Sequence, residues 1–284
     1  MTDVSALIDR AARLLDRLES QLPEAPIPPD WSHDAFRWRK TGRQGFLQSL
    51  QNPHRLALDD LLCLDRQKGE IERNTRQFIA GKSANNVLLW GSRGTGKSSL
   101  VKAMFNEVRG QGLRLIEVDK ENLIDLPDIF EQIRHRPEYF VLFCDDLSFE
   151  SGETGYKALK AALDGSLCAA PENLLIYATS NRRHLLPELM RENRETRVLD
   201  GEIHPGESTE EKISFSDRFG LWISFHPFTQ DQYLSIVRHW LFRFNENTVA
   251  SEEVDRAALQ WAMRRGSRSG RTAWQFARDW AGRL

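Results

Sequence analysis

Apolar positions change their period several times along the 284-residue chain. Val4, Leu7, Ile8, Ala11, Leu14, Leu15, Leu18 and Leu22 recur every three or four residues, which predicts an amphipathic helix over residues 1–22. Four prolines between Pro23 and Pro29 predict an extended linker. Trp31, Phe36, Trp38 and Phe46 follow among basic residues. Such a mixture serves either packing onto the next domain or a docking or nucleic-acid surface. Linker and aromatic segment together span 23–55. Leu56 to Ile79 is helical in pattern, with Gly81 as a C-cap.

Short apolar runs then alternate with helical stretches. The runs are Asn86–Trp90, Leu113–Val118, Tyr139–Cys144, Leu174–Thr179 and Trp222–Phe225. Helical patterns fall at Lys97–Arg109, Asp128–Arg134, Lys157–Leu167 and Leu185–Glu192. This alternation predicts an α/β domain over 56–226, a five-stranded parallel sheet sandwiched by helices. From Phe228 onward the pattern is helical, through Tyr233, Ile236, Val237, Trp240 and Leu241, then Leu259–Met263, then Ala273–Trp280. These three helices predict a small all-helical lid over 227–284.

Composition narrows the class. Hydrophobic residues make up 40% and charged residues 28%, which fits a globular chain, and the formal net charge of −2 excludes the strongly basic classes. No apolar run approaches membrane-spanning length, and the N-terminus lacks a secretory pattern, so a cytoplasmic protein with no membrane partner is expected. Cys63, Cys144 and Cys168 form no CxxC pair, which argues against a disulfide framework or a zinc site. Arginine outnumbers lysine 30 to 9, which fits codon bias at least as well as phosphate binding. Residues 255–284 hold seven arginines and two aspartates, a basic surface open to phosphate, DNA or solvent.

The sharpest chemical signal is Gly91-Ser92-Arg93-Gly94-Thr95-Gly96-Lys97-Ser98, which reads GxxxxGK[ST] between an apolar strand and a helix. Its glycines permit a sharp turn with the N–H groups pointing inward, and the helix N-terminus adds positive potential. Lys97 would bridge the β- and γ-phosphates and Ser98 would ligate Mg²⁺, with Ser99 completing the phosphate-binding segment. The run Tyr139–Cys144 ends in Asp145 and Asp146. An aspartate at the tip of a buried strand needs a compensating cation or hydrogen bonds. Asp145 therefore reads as the Mg²⁺-side carboxylate, and Asp146 as the group that polarises the attacking water.

These motifs resemble the AAA+ ATPase superfamily over roughly residues 56–284. Leu174–Asn181 is similar to its sensor-1 strand, which implies that Asn181 orients the lytic water or touches the γ-phosphate. Ser216-Asp217-Arg218-Phe219-Gly220 resembles the arginine-finger segment, with Arg218 as a finger completing a neighbouring subunit's site. Gly266–Ala273 resembles the sensor-2 segment, which implies that Arg271, or alternatively Arg268, reaches back to the nucleotide. Leu62–Asp65 falls where the family places its adenine-contacting segment. Asn85–Leu89, Ala178–Leu185 and Ser216–Leu221 resemble more closely a bacterial AAA+ branch known as domain-of-unknown-function family eight-fifteen.

The resemblance implies ATP and Mg²⁺ as cofactors, hydrolysis at an inter-subunit site, a homo-oligomer or ring, and nucleotide-driven change acting on a protein or nucleic-acid client. Most of the superfamily carries Glu where this chain has Asp146. The replication-initiator and helicase-loader branch shares the Asp-Asp form, so slow hydrolysis is expected. A nucleotide-gated DNA- or helicase-binding module is the rival reading, and a small-molecule P-loop kinase is a weaker third. Arg182 and Arg183 read as solvated or as facing a neighbouring subunit or nucleic acid. Residues 191–214 read as a surface loop or a nucleotide-responsive one.

Overall fold

In the computed structural model, described residues are 8–10, 12–14, 28–42, 44–51, 56–149, 153–164, 170–183, 185, 197–199, 202–204, 217–245 and 251–283. A seven-stranded sheet forms the centre. Its strands are β1 (Ala35–Thr41), β2 (Gln44–Ser49), β3 (Val87–Gly91), β4 (Leu113–Glu117), β5 (Tyr139–Cys144), β6 (Leu174–Ser180) and β9 (Leu221–Phe225). A separate two-stranded ribbon pairs β7 (Arg197–Leu199) with β8 (Glu202–His204). The sheet order is β2-β1-β4-β5-β6-β3-β9. Every pairing in it is parallel except β1 with β2.

The five expected parallel strands are therefore present, and two more extend the sheet. Residues 35–49 are not a segment outside the core but an edge hairpin that joins β4 through β1. Phe36-Arg37-Trp38-Arg39 alternates apolar and basic residues with the two-residue period of a half-buried strand, a signal that the aromatic-and-basic reading of the segment did not use. Phe36 and Trp38 are fully buried. Trp38 Nε1 donates to the buried carboxylate of Asp125 at 3.0 Å, and Lys40 holds the other oxygen at 2.8 Å. Trp31 packs against Phe36 and Phe140, with the Arg136 guanidinium over its ring. For Trp31, Phe36 and Trp38 the packing reading is the correct one.

The helices are α1 (Asp65–Ile79), α2 (Lys97–Val108), α3 (Leu126–Ile133), α4 (Thr154–Leu163), α5 (Gln230–Phe244), α6 (Glu252–Arg265) and α7 (Gly270–Ala281). Two buried clusters lie against the sheet. One includes α1 and α2 residues such as Ile71, Phe78, Leu100 and Met104, and the other α3 and α4 residues such as Ile129, Phe130 and Leu159. β5 and β6 are apolar almost throughout because helices cover both faces.

Helix α1 begins at Asp65, not at Leu56. Leu58–Asp60 forms one 3-10 turn, and Cys63 takes a left-handed conformation with φ 61° that ends the turn before the helix starts. Helix α4 starts at Thr154, ahead of the expected Lys157, and ends at Leu163. Residues 8–10 and 12–14 are helical, with Ile8 and Leu14 exposed. The rest of the expected N-terminal helix, residues 186–192, Cys168 and most of 191–214 lie outside the described residues.

Caps set the ends of the C-terminal helices. Thr229 and Gln232 close a reciprocal capping box at the start of α5. Ser251 caps α6, which ends on left-handed Gly266, and Ser269 caps α7. Tyr233, Ile236, Val237, Ala258, Ala262, Ala273 and Phe276 bury together, continuous with the α1–α2 side of the sheet.

Candidate functional site

Strand order brings the motifs together. β6 lies between β3 and β5, so the ends of these three strands are neighbours. Ligands bind at such carboxyl ends in open α/β sheets. β3 delivers the glycine loop, β5 delivers Asp145 and Asp146, and β6 delivers Thr179 and Asn181.

The loop's conformation depends on its glycines. Gly91 has φ 130°, and a Cβ there would lie 1.9 Å from the Phe225 carbonyl oxygen of the adjacent β9. Gly94 and Gly96 also have positive φ. Gly96 is the N-cap of α2 and has no side chain to cap it, and among the described residues no side chain bonds the helix's first amides. Those amides are unpaired within the helix and form an anion-binding end.

Lys97 is buried, with its ammonium donating to the Gly91 and Ser92 carbonyls at 2.8 Å each and to Asn181 Oδ1 at 3.0 Å. Burial lowers its pKa from the ordinary lysine value. Asp146 and Asp145 pull it back up, and Arg93 and Arg271 push it down again.

Oxygen groups converge beside it. Ser98 Oγ donates to Asp145 Oδ1 at 2.5 Å, and Thr179 Oγ1 donates to the same oxygen at 2.6 Å. Asn181 Nδ2 donates to Asp146 Oδ1. Asp146 is left-handed, with φ 52°. Among the described residues no group of three or more His, Cys, Asp or Glu forms a metal cage. The hard oxygens of Ser98 and Asp145 suit a cation that takes its remaining ligands from phosphate and water, as Mg²⁺ does.

A cleft of about 1030 Å³ opens above these groups. Arg93 to Ser99, Asp145, Asp146, Thr179 and Asn181 form its polar end. Leu61, Leu62, Leu64, Ile236, Trp240 and Trp274 are among its apolar walls. The lid is docked directly on the loop. The Arg271 N–H donates to the Gly94 carbonyl at 3.3 Å, and a Cβ on Gly94 would come within 2.8 Å of Ser269 Oγ.

Arg271 lines the cleft; Arg268 is exposed and does not. Arg218 is not brought to this cleft. It pairs with Asp164, the residue that follows α4. Arg182 is exposed, and Arg183 lies over the Trp90 ring at 5.6 Å.

Sequence reasoning passed over Thr179, Asp60, Trp240, Arg243 and Trp274. Asp60 bridges the two walls: its buried carboxylate accepts from the Ala57 N–H at 3.2 Å and meets His239 and Arg243 of α5 at 3.3 Å each. Only its position three residues after Ala57, ahead of a turn, hints at a cap.

The family model described as "Protein of unknown function (DUF815)" matches residues 31–284, nearly the whole chain. The chain belongs to this family. Within the curated proteins, this family member is 23% identical over 204 residues to an AAA-ATPase of Arabidopsis thaliana, covering 66% of the chain and 40% of that protein. The chain thus spans less than half of that relative.

In fold it is similar to RuvB of Thermotoga maritima, titled a Holliday junction branch migration motor. The TM-score is 0.51 at 15% identity, over 78% of this chain and 63% of the other. It is similar also to ORC1 of Aeropyrum pernix, solved in complex with DNA, with a TM-score of 0.52 at 13% identity, over 75% and 57%. The fold is that of the AAA+ P-loop ATPases. Among the described residues no helix is long and apolar enough to cross a membrane.

Proposed function

We propose that this chain binds ATP with Mg²⁺ in the cleft and hydrolyses it at a site shared between subunits, turning nucleotide state into movement of the lid on a client. The observation that carries this reading is the convergence of Lys97, Ser98, Asp145, Asp146 and Asn181 at three adjacent strand ends. The Gly91–Ser99 backbone and Lys97 hold the phosphates. Ser98 would offer an oxygen lone pair to the cation while its O–H donates to Asp145. Bound there, Mg²⁺ would offset charge on the phosphate oxygens.

Asn181 and Asp146 hold and polarise the attacking water. Arg271 meets the nucleotide from the lid, and the aliphatic wall with Trp240 receives the base. Arg218 supplies positive charge to the neighbouring subunit's site. Such a finger raises turnover by about 10³–10⁵ where it operates. Phosphate release that needs no added acceptor, and that rises faster than linearly with protein concentration, tests this reading. Release only in the presence of a small-molecule acceptor would make the chain a kinase instead.

A nucleotide-gated DNA- or helicase-binding module is the second reading. It is favoured by a groove on the lid lined by Arg265, Arg278 and Arg283 beside Trp274, which also lines the nucleotide cleft. The fold neighbours' titles name a Holliday junction motor and a DNA complex. DNA affinity that falls steeply with salt and changes with ATP would select this reading.

A further inference from the structure

Among the described residues, Thr179 is the one that bonds to all three positions following β5. It is 1% exposed. Its hydroxyl donates to Asp145 Oδ1 at 2.6 Å and accepts from the Asp146 N–H at 2.9 Å. Its carbonyl accepts from the Leu147 N–H at 2.6 Å. The register explains the reach: Cys144 faces Ala178 across the parallel pair, so the next residues, Asp145 and Thr179, emerge side by side.

The three bonds have a geometric consequence. Asp146 adopts φ 52°, a conformation that aspartate tolerates at some cost. The bond to its N–H helps to hold that step. The step sends the Asp146 carboxylate to Asn181 and returns Leu147 to the core, fully buried. Asp145 Oδ1 meanwhile accepts from Ser98, Thr179 and the Asp146 N–H, while no hydrogen bond among the described residues engages its Oδ2. One buried hydroxyl therefore fixes the rotamer of the first carboxylate and the backbone of the second.

We propose that Thr179 is a positioning residue that sets Asp145 toward the cation and Asp146 toward the water. The proposal rests on the ATPase reading of those two aspartates. Threonine suits the task because its β-branch restricts χ1, so the hydroxyl is held in place before any ligand arrives. Supporting groups of this kind change metal affinity or activity by about 10–100-fold when removed.

The test compares Thr179→Val, which keeps the shape and removes the hydroxyl, with Thr179→Ser, which keeps the hydroxyl. Three quantities are read on the full chain: ATP affinity by calorimetry with and without Mg²⁺, the Mg²⁺ concentration for half-maximal hydrolysis, and amide exchange at Asp146 without nucleotide. For Thr179→Val we expect a half-saturating Mg²⁺ raised about 10-fold or more and turnover lowered about 10–100-fold. Its Asp146 amide should exchange faster, and its Mg²⁺-free ATP affinity should stay within about threefold of the parent. Thr179→Ser should restore most of each loss.

A folded Thr179→Val protein with the parent's Mg²⁺ dependence overturns the proposal. So does a Thr179→Ser protein as impaired as the valine form, since packing would then be the cause. If Thr179→Val does not fold, Thr179→Ala against Thr179→Ser carries the same comparison. Failure of the underlying ATPase reading is seen separately, as an unsubstituted chain that binds no ATP or binds it equally well after Lys97→Ala.

Discussion

Asn181 joins Lys97 to Asp146 through the two ends of one carboxamide: its oxygen accepts from the Lys97 ammonium at 3.0 Å, and its nitrogen donates to the Asp146 carboxylate. A lysine suited to phosphate and a carboxylate suited to water are thus tied together. A nucleotide that draws Lys97 away releases one end of this bridge and leaves Asn181 able to reorient. Asp146→Asn should preserve ATP binding and lower turnover by about 10²–10⁴, the range associated with losing a general base. Filter binding of ATP alongside a phosphate-release assay checks it; undiminished release would remove Asp146 from the chemistry.

Lys97 also gives a pH dependence. Burial holds its pKa below the ordinary lysine value. The folded apo protein therefore binds fewer protons than the unfolded chain between the lowered pKa and the ordinary one, and this group's contribution to stability rises with pH across that window. Phosphate binding favours the charged ammonium and reverses the shift. ATP affinity should fall as pH rises through the lowered value, with proton uptake on binding in that range. Calorimetry in two buffers of different ionisation enthalpy measures that uptake. Lys97→Ala should abolish both the binding and its pH dependence.

Arg218 is held in its own subunit by Asp164 and lies apart from the cleft. Its expected role is in trans, so Arg218→Ala should leave ATP affinity within about threefold while removing assembly-dependent turnover, by up to about 10³–10⁵. Mixing Arg218→Ala with Asp146→Asn protein should recover part of the activity, because a mixed interface joins an intact cleft to an intact arginine. No recovery at any ratio, with both variants assembling normally, would place the whole site in one subunit.

Gly91→Ala tests the loop's steric requirement. A Cβ would lie 1.9 Å from the Phe225 carbonyl oxygen, at a φ of 130° that side-chain-bearing residues rarely adopt. Strain of this kind costs about 1–3 kcal/mol before the clash is relieved. Denaturant unfolding should show a loss of at least about 2 kcal/mol, together with weaker ATP binding, since β9 and the loop must part. Wild-type stability would mean that the loop and β9 are not in contact.

Much of the site was legible because its parts are contiguous. Eight residues, Gly91–Ser98, carry the phosphate loop, and two carboxylates end an apolar run. Thr179 was not legible: inside Leu174–Ser180 a threonine reads as a strand former, and nothing local shows that its hydroxyl faces Asp145. Trp240 and Trp274 keep helical spacing and read as lid core, although they also wall the cleft. The edge hairpin was missed because β2 is half polar and the alternating aromatic and basic residues of β1 also suit an exposed docking surface, so only the pairing with β4 shows which face is buried.

Local chemistry along the chain was enough to decide the glycine-rich loop, the acidic strand tip, the parallel core and the helical end, because backbone turns, burial and helical period act over a few residues. Only the tertiary structure decided which groups meet. Strand order sets β6 between β3 and β5, so Asn181 and Thr179 reach Lys97 and Asp145 across 84 and 34 residues of sequence. Docking of the Ser269-capped helix on Gly94 selects Arg271 over Arg268 at the cleft. Such choices follow from how sheet and helices bury their apolar faces against one another, a long-range condition that no short window of residues contains.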